Sequence, residues 1–187
     1  MNLIVGIDEV GRGSWAGPLL AGAVVLDPAN PVAGLTDSKL LSPKKRAVLS
    51  SEIILNALSY SIGWVSAGEV DSMGLTLAVA TAMQRALDAI KTSYDEIVID
   101  GDFNFLMSNP KVRTLIKADL SVPSVSAASI IAKVARDTYM AEQSRIYPGY
   151  GFERNVGYGT RDHSEGLVVN GVCSLHRLSF KPIKKFI

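Results

Sequence analysis

The sequence predicts an α/β domain in which helices cover a mixed sheet. Three short, apolar, strand-like segments come early in the chain, and helical and strand-like patterns alternate after them. The chain has 187 residues, of which 48% are apolar. This size suits one compact domain, and a chain of this length can bury about 70% of its unfolded surface.

The first half of the chain is predicted to form three strands and one helix. Residues 3–8 (LIVGID) are short, apolar and rich in β-branched side chains, which is typical of a buried strand. Residues 19–26 (LLAGAVVL) have the same character, so we expect a hairpin at the glycines between the two segments. The Ser42-Pro43 pair is an N-cap followed by proline at the first helical position, and this helix is expected to end near Leu58. Residues 60–65 (YSIGWV) give a third strand.

The second half alternates between helices and strands and ends in a helical extension. Apolar residues recur at helical spacing from Leu75 to Ile90, which predicts an amphipathic helix. The remaining predicted elements are a strand over 96–100, a strand over 113–118, a long helix over 124–145 and a short helix that begins at Thr160. We divide the chain into a core over residues 1–145 and a helical, basic extension over residues 146–187 that packs on the core.

Composition excludes several classes of protein. The 19 basic and 18 acidic residues give a net charge of +1, which excludes a uniformly basic nucleic-acid coat protein and a strongly acidic solvating protein. Cys173 is the only cysteine, so an internal disulfide is impossible and a reducing, cytoplasmic location is expected. Asp8 and Glu9 end the first apolar run, which therefore does not resemble a signal peptide. The longest uncharged apolar stretch, residues 15–26, is too short to span a membrane.

Acidic residues stand at the ends of the predicted strands. Asp8 and Glu9 close the first strand, Asp100 closes another, and Asp119 follows the last. Carboxylates gathered at one sheet end repel one another, and a divalent cation such as Mg²⁺ relieves that repulsion. Adjacent strand residues point to opposite faces, so Asp8 and Glu9 can serve one site only where the strand ends or bends between them. Capping or turn residues are the alternative interpretation.

A glycine-rich loop follows the first strand. Gly11, Gly13 and Gly17 are spaced one residue too widely for the dinucleotide-binding fingerprint, and no Walker lysine follows them. The backbone N–H groups of such a loop can approach a sugar closely. A plain hairpin turn is the alternative. Cys173 and His176 form a single C-x-x-H pair without a second one, so the sequence does not predict a structural zinc site.

Six sequence blocks together resemble one known family, the bacterial type 2 ribonucleases H (ribonuclease HII). The blocks occur in the family's order and cover nearly the whole chain: GIDEVGRGSWAGP at 6–18, LTDSKLLSPKKR at 35–46, VIDG at 98–101, KADLSVPSVSAASIIAKVARD at 117–137, GYGT at 157–160 and HRLSF at 176–180. The resemblance implies a ribonuclease H-like fold, in which helices flank a five-stranded mixed sheet. It also implies hydrolysis of RNA–DNA hybrids, and of duplex DNA on the 5′ side of an embedded ribonucleotide, with Mg²⁺ or Mn²⁺ and with 3′-OH and 5′-phosphate products.

The resemblance also assigns roles to particular residues. The family's four catalytic, metal-binding carboxylates fall on Asp8, Glu9, Asp100 and Asp119, with Asp102 a nearby competitor that the VIDG match disfavours. The substrate-binding residues that it implies are Gly11, Arg12 and Gly13 of the GRG loop, Ser38 and Lys39 of the DSK motif, Tyr158, which packs on a sugar, and Arg177. It further implies a monomer, and the tail KPIKKFI lacks the spacing of a sliding-clamp-binding box.

Basic residues cluster although the net charge is close to zero. Residues 38–46 and residues 171–187 each contain four Lys or Arg and no acid, which favours contact with a phosphate backbone. The candidate phosphate contacts beyond the motif residues are Lys44, Lys45, Arg46, Lys133, Arg136 and Lys181. Two other classes of function stay open at this point, another nuclease of the same fold, such as a junction resolvase or integrase core, and a non-catalytic hybrid-binding protein.

Overall fold

A five-stranded mixed sheet forms the centre of the protein, as the sequence predicts. The computed structural model describes residues 2–107 and 109–187. The strands are β1 (Ile4–Val10), β2 (Leu19–Val25), β3 (Ser59–Val65), β4 (Glu96–Asp100) and β5 (Val112–Leu115), and their order across the sheet is β3-β2-β1-β4-β5. β1 pairs antiparallel with β2, and β2 with β3, whereas β4 lies parallel to β1 and β5 parallel to β4. The two central parallel strands therefore end at the same edge.

Seven helices and two short 3₁₀ turns complete the described chain. The helices are α1 (Pro43–Asn56), α2 (Ala67–Met73), α3 (Leu75–Asp88), α4 (Ala118–Ser121), α5 (Pro123–Ile146), α6 (Phe152–Asn155) and α7 (Arg161–Asn170), and the turns are Ser38–Leu40 and Lys184–Phe186. Local signals set several of the boundaries. The Ser42 side chain caps α1, Thr160 caps α7, and Ser66 with Glu69 forms a capping box at the start of α2.

The predicted last strand is shorter in the structure than in the sequence prediction. β5 ends at Leu115 instead of residue 118, because Lys117 has a positive φ of 58° and turns the chain into α4. A left-handed residue cannot continue a strand. Asp119, which we expected directly after the last strand, lies on the four-residue helix α4.

Two apolar layers enclose the sheet. α3 packs on one face with side chains including Val79 and Met83, and α5 packs on the other with Ile130 and Ile131. The contact with α5 is close at Gly22, where an added Cβ atom would lie 2.3 Å from the carbonyl oxygen of Ala128.

The C-terminal segment packs on the end of α5 through its own apolar cluster. Ala16 and Met140 contact Tyr150, Phe152 and Leu167 there. Because these side chains are buried against the loop after β1, the C-terminal segment fixes the surroundings of that loop. No helix within the described residues is long and apolar enough to cross a membrane.

Candidate active site

The parallel pairing of β1 and β4 places two carboxylates side by side at one edge of the sheet. Ile7 pairs with Ile99, so Asp8 and Asp100 follow at equivalent positions of neighbouring strands. A carboxylate oxygen of Asp100 accepts a hydrogen bond of 2.7 Å from the backbone N–H of Ala118. This bond ties the start of α4, and with it Asp119, to the end of β4.

Asp8 and Glu9 lie on opposite faces of the sheet, because β1 continues in regular register through both residues. Asp8 pairs with Gly22 on the α5 side and is 9% exposed. Glu9 lines a cavity of about 360 Å³ on the other side. The strand neither ends nor bends between the two acids, so the condition that we set from the sequence is not met. Both acids lie within two residues of the end of β1, and their carboxylates straddle that end of the sheet. The residues that line the cavity are Glu9, Arg12, Thr76, Asp100, Gly101, Asp102, Phe103 and Phe105.

The carboxylates nevertheless share one electrostatic environment. Burial, followed by the charge of Glu9, raises the pKa of Asp8 to about 8, and Asp100 and Asp119 add to that shift. Burial also raises the pKa of Glu9, opposed by Arg12 and reinforced by Asp100. Burial and then the charge of Asp100 raise the pKa of Asp119. Asp100 is thus the charge that acts on all three of the others.

This donor set fits a divalent cation. Four carboxylates with mutual repulsion and only partial access to water are hard oxygen ligands of the kind that Mg²⁺ and Mn²⁺ bind. Within residues 2–107 and 109–187, no three His, Cys, Asp or Glu side chains come together closely enough to hold a metal ion as they stand. The assignment of a cation to the four carboxylates Asp8, Glu9, Asp100 and Asp119 stays a prediction at this point.

The GRG loop lies next to these carboxylates. Gly11 has a positive φ of 87°, and an added Cβ atom would lie 2.3 Å from Nε of Arg136, so both backbone geometry and packing require glycine there. Gly13 has neither a positive φ nor any atom of the protein within 4 Å of an added Cβ. Arg12 is exposed, and its guanidinium lies 3.7 Å from the Glu9 carboxylate.

Tyr158 lies beside the same loop. The carbonyl oxygen of the preceding residue, Gly157, accepts hydrogen bonds of 2.8 and 3.1 Å from the N–H groups of Trp15 and Ala16. The Tyr158 side chain is 37% exposed, and the Arg136 guanidinium lies 5.5 Å from the centre of its ring. The ring is therefore available to a ligand at the loop and is not part of a buried core.

The DSK motif borders the carboxylates from the α5 side. Ser38 is buried and its hydroxyl lies 2.9 Å from that of Ser129, whose side chain in turn acts to lower the pKa of the Asp8 carboxyl. Lys39 is exposed. Partial burial lowers the pKa of Lys39, but the carboxylates of Asp37 and of Asp8, with those of Asp119 and Asp100, raise it overall. The positive charge of Lys39 therefore interacts with the carboxylates of the candidate site.

Several of the predicted phosphate contacts are occupied by the protein itself. Arg136 and Arg177, which we expected to contact phosphates, are both 0% exposed. Their guanidinium groups instead donate hydrogen bonds to backbone carbonyl oxygens and do not reach the surface. Arg46 donates to the carbonyl oxygens of Ser38 and Leu41, and Lys133 is paired with Asp137 at 2.7 Å. Lys44, Lys45 and Lys181 are exposed and stay predictions.

Sequence reasoning missed two aromatic residues at the site. Phe103 and Phe105 line the same cavity as Glu9 and Asp100, and their rings pack edge to face with centroids 4.7 Å apart. The Arg12 guanidinium lies 5.7 Å from the Phe105 ring centre. The spacing of two aromatic residues directly after the VIDG block was the available signal.

Comparisons with known proteins agree with this arrangement. The sequence profile of the family described as "Ribonuclease HII" matches residues 5–183. The "Ribonuclease HII" of Aliivibrio fischeri is 46% identical over 187 residues, which is 100% of this chain and 89% of that protein. The crystal structure of the ribonuclease H2 from Pyrococcus horikoshii superposes with a TM-score of 0.84 at 28% identity and covers 98% of this chain and 96% of that one. A Bst-RNase HIII structure in complex with Mn²⁺ has a TM-score of 0.73 at 23% identity, with 98% and 68% coverage, and supports the fold alone.

Proposed function

Because this chain belongs to the ribonuclease HII family of metal-dependent endonucleases, we propose that it hydrolyses the RNA strand of RNA–DNA hybrids and also incises duplex DNA 5′ to an embedded ribonucleotide. The products of both reactions are a 3′-OH and a 5′-phosphate. The observation that supports this best is the position of the four carboxylates, which share one sheet end with the exposed part of the GRG loop.

Asp8, Glu9, Asp100 and Asp119 hold two divalent cations, Mg²⁺ or Mn²⁺, in this proposal. When bound, the cations lower the pKa of the attacking water and stabilise the leaving 3′ oxygen. The chain itself supplies the oxygen ligands and their orientation. The Ala118 N–H group holds one oxygen of Asp100, and the Glu9 N–H group holds one oxygen of Asp8 at 2.8 Å. No side chain of the protein has to act as a nucleophile.

The GRG loop and Tyr158 recognise the ribonucleotide. Only RNA carries the 2′-OH, so a loop that contacts this group separates a ribonucleotide from its DNA neighbours. Arg12 and Gly13 are exposed at the tip of the loop, and the open space around Gly13 lets a sugar approach the backbone. The Tyr158 ring, next to the loop, packs on the adjoining sugar.

Basic residues beside the site hold the substrate backbone. Lys39, Lys44 and Lys45 are exposed at the start of α1 and in the turn before it. Positive charge at these three residues orients the duplex through its phosphates without recognising its base sequence. Ser38 takes part through its contact with Ser129, which orients the turn that carries Lys39.

Incubation with a labelled DNA duplex that contains one ribonucleotide tests the proposal. We expect incision 5′ to the ribonucleotide with Mg²⁺, none in EDTA, and a product that a polymerase extends from its 3′-OH. A duplex of the same sequence without the ribonucleotide is the control. Binding without incision would indicate a non-catalytic hybrid-binding protein. Cleavage of a branched DNA but not of the ribonucleotide duplex would indicate a resolvase-like or integrase-like nuclease.

A further inference from the structure

Two arginines are buried beneath the GRG loop without a carboxylate partner. Arg136 on α5 and Arg177 in the C-terminal segment are both fully buried, and neither forms an ion pair with any of the described residues. Burial of an unpaired guanidinium is costly unless hydrogen bonds replace its water. Burial and then the charge of Arg136 lower the pKa of Arg177 to about 9.

Nearly all of the donors of the two guanidinium groups go to the segment that follows β1. Arg136 donates from Nε to the carbonyl oxygen of Pro18 at 2.9 Å, and from Nη2 to the Ser14 hydroxyl at 2.7 Å and the Ala16 carbonyl at 3.2 Å. Its Nη1 group donates to the carbonyl of Val156 at 2.9 Å, in the segment that carries Tyr158.

Arg177 completes the set from the other side. Its Nε and Nη2 groups donate to the Gly17 carbonyl at 3.1 and 2.9 Å, and its Nη1 group donates to the Arg12 carbonyl at 3.0 Å. The Ser14 hydroxyl, which accepts from Arg136, donates to the Gly11 carbonyl at 2.8 Å. The carbonyl oxygens of residues 11, 12, 16, 17 and 18 are therefore all held from within the protein.

The N–H groups of the same segment divide into two sets. Those of Trp15, Ala16 and Gly17 donate to the Gly157 and Leu175 carbonyls. Within the described chain, no hydrogen bond is donated by the N–H groups of Arg12 or Gly13, which lie in exposed residues. A loop with its carbonyls fixed inward leaves these two donors directed to solvent.

We propose that Arg136, acting through the Ser14 hydroxyl, and Arg177 are positioning residues that fix the carbonyl oxygens of Gly11 and Arg12 inward and so present the Arg12 and Gly13 N–H groups to the ribonucleotide. This inference rests on the proposed function. This role requires the planar, multi-donor guanidinium group, because each arginine binds two or more carbonyl or hydroxyl oxygens that lie at different points along the loop. A lysine carries one ammonium group on a flexible stem and cannot hold several such oxygens in fixed geometry.

The test measures discrimination between substrates and not activity alone. Arg136→Lys and Arg177→Lys are compared with the wild type and with Arg113→Lys, a surface arginine paired with Glu96. Fluorescence anisotropy in EDTA gives the Kd for a duplex with one ribonucleotide and for the all-DNA duplex. We expect the preference for the ribonucleotide duplex to fall at least 5-fold in the two buried-arginine variants, with the all-DNA Kd within 2-fold of wild type, and to stay unchanged in Arg113→Lys.

A second variant applies if the lysine variants do not fold. Asp71 accepts hydrogen bonds from the Leu178 and Ser179 N–H groups and from the Ser179 hydroxyl, and so anchors the segment that carries Arg177 from outside the loop. Asp71→Asn should lower the preference for the ribonucleotide duplex in the same direction by about 2-fold or more.

The outcomes separate the two proposals. If folded Arg136→Lys and Arg177→Lys keep the wild-type preference, or if Asp71→Asn keeps it when they do not fold, the inference is wrong. A variant that weakens both duplexes by the same factor also contradicts it, because that result indicates a general phosphate contact or a general loss of structure. If the wild type itself shows no preference for the ribonucleotide and no incision, the proposed function fails first.

Discussion

The two glycines of the GRG loop should respond in opposite ways to the same substitution. Gly11 has a φ of 87°, and an added Cβ atom would lie 2.3 Å from Nε of Arg136 and 2.9 Å from its Cδ and Cζ atoms. Gly13 has no protein atom within 4 Å of that position and no positive φ. Gly11→Ala should therefore damage the fold, whereas Gly13→Ala should damage only the contact with substrate.

The expected magnitudes follow from these contacts. At Gly11, the left-handed backbone costs alanine about 1–2 kcal/mol, and the clash adds about 1–3 kcal/mol because a fully hydrogen-bonded, buried guanidinium cannot move aside. We expect the free energy of unfolding to fall by about 2–5 kcal/mol. At Gly13, alanine should change it by no more than about 0.5–1 kcal/mol, in the stabilising direction if at all.

Urea unfolding followed by circular dichroism gives the stability of both variants, with the slope m checked for constancy. Single-ribonucleotide incision in Mg²⁺ gives kcat/KM. Gly13→Ala should lose at least about 10-fold in kcat/KM, which corresponds to about 1.4 kcal/mol of transition-state binding, at wild-type stability. A Gly11→Ala variant as stable as the wild type would contradict the packing role of Gly11. A Gly13→Ala variant that cleaves at the wild-type rate would contradict the substrate contact at Gly13.

Three further predictions concern stability. Asp8→Asn should raise the free energy of unfolding in EDTA at pH 8 by about 2 kcal/mol or more, because the pKa of about 8 for Asp8 in the folded state means that folding disfavours the ionised carboxylate. Urea unfolding should show that this gain in stability disappears as the pH falls towards 4. A loss of stability at pH 8 would contradict the prediction. The His163–His176 pair is buried, with Nε2 atoms 3.0 Å apart. Burial, and then the repulsion that a protonated His163 would exert, lowers the pKa of His176 to about 4, so His176 is neutral at pH 7. As the pH falls below 6.5, His176 therefore binds a proton in the unfolded state before it does so in the folded state. The difference in the free energy of unfolding between the wild type and His176→Gln should shrink by about 2 kcal/mol between pH 7 and pH 5. A difference that stays constant over this range would refute the prediction. Ser66→Ala should lower the free energy of unfolding by about 1 kcal/mol through loss of the capping box, and a thermal melt unchanged within error would show that the cap is dispensable.

The strands and long helices could be predicted from the sequence because their signals are local. The apolar, β-branched runs gave β1 to β4 within one or two residues, and the Ser42-Pro43 pair gave the start of α1. The short helices α2, α4 and α6 were missed, since four to seven residues show too little of the 3.6-residue period. The predicted end of β5 was wrong because Lys117 adopts a left-handed conformation that the sequence does not signal.

The acidic residues of the candidate site could be predicted from the sequence better than the placement of its arginines. The four acids Asp8, Glu9, Asp100 and Asp119 could be selected from the sequence because acids are depleted inside strands and an unpaired buried carboxylate is costly, although the face on which each lies could not be predicted. Arg136 was assigned to a phosphate because exposed charge is the usual state of arginine, and Arg177 because of its motif as well as its charge. Their burial depends on carbonyl groups contributed by a loop that is over a hundred residues away in the chain.

Incision by Asp100→Asn compared with Asp102→Asn decides which of the acids after β4 is a catalytic carboxylate. The two acids are two residues apart and line the same cavity, but only Asp100 lies beside Asp8 at the end of the parallel strands and acts on the pKa of three other carboxylates. With a single-ribonucleotide duplex and Mg²⁺, we expect Asp100→Asn to lose at least about 100-fold in the rate of incision and Asp102→Asn to stay within about 3-fold of wild type, while urea unfolding shows both variants folded. Wild-type incision by a folded Asp100→Asn, or a loss confined to Asp102→Asn, would contradict the assignment of the catalytic carboxylates.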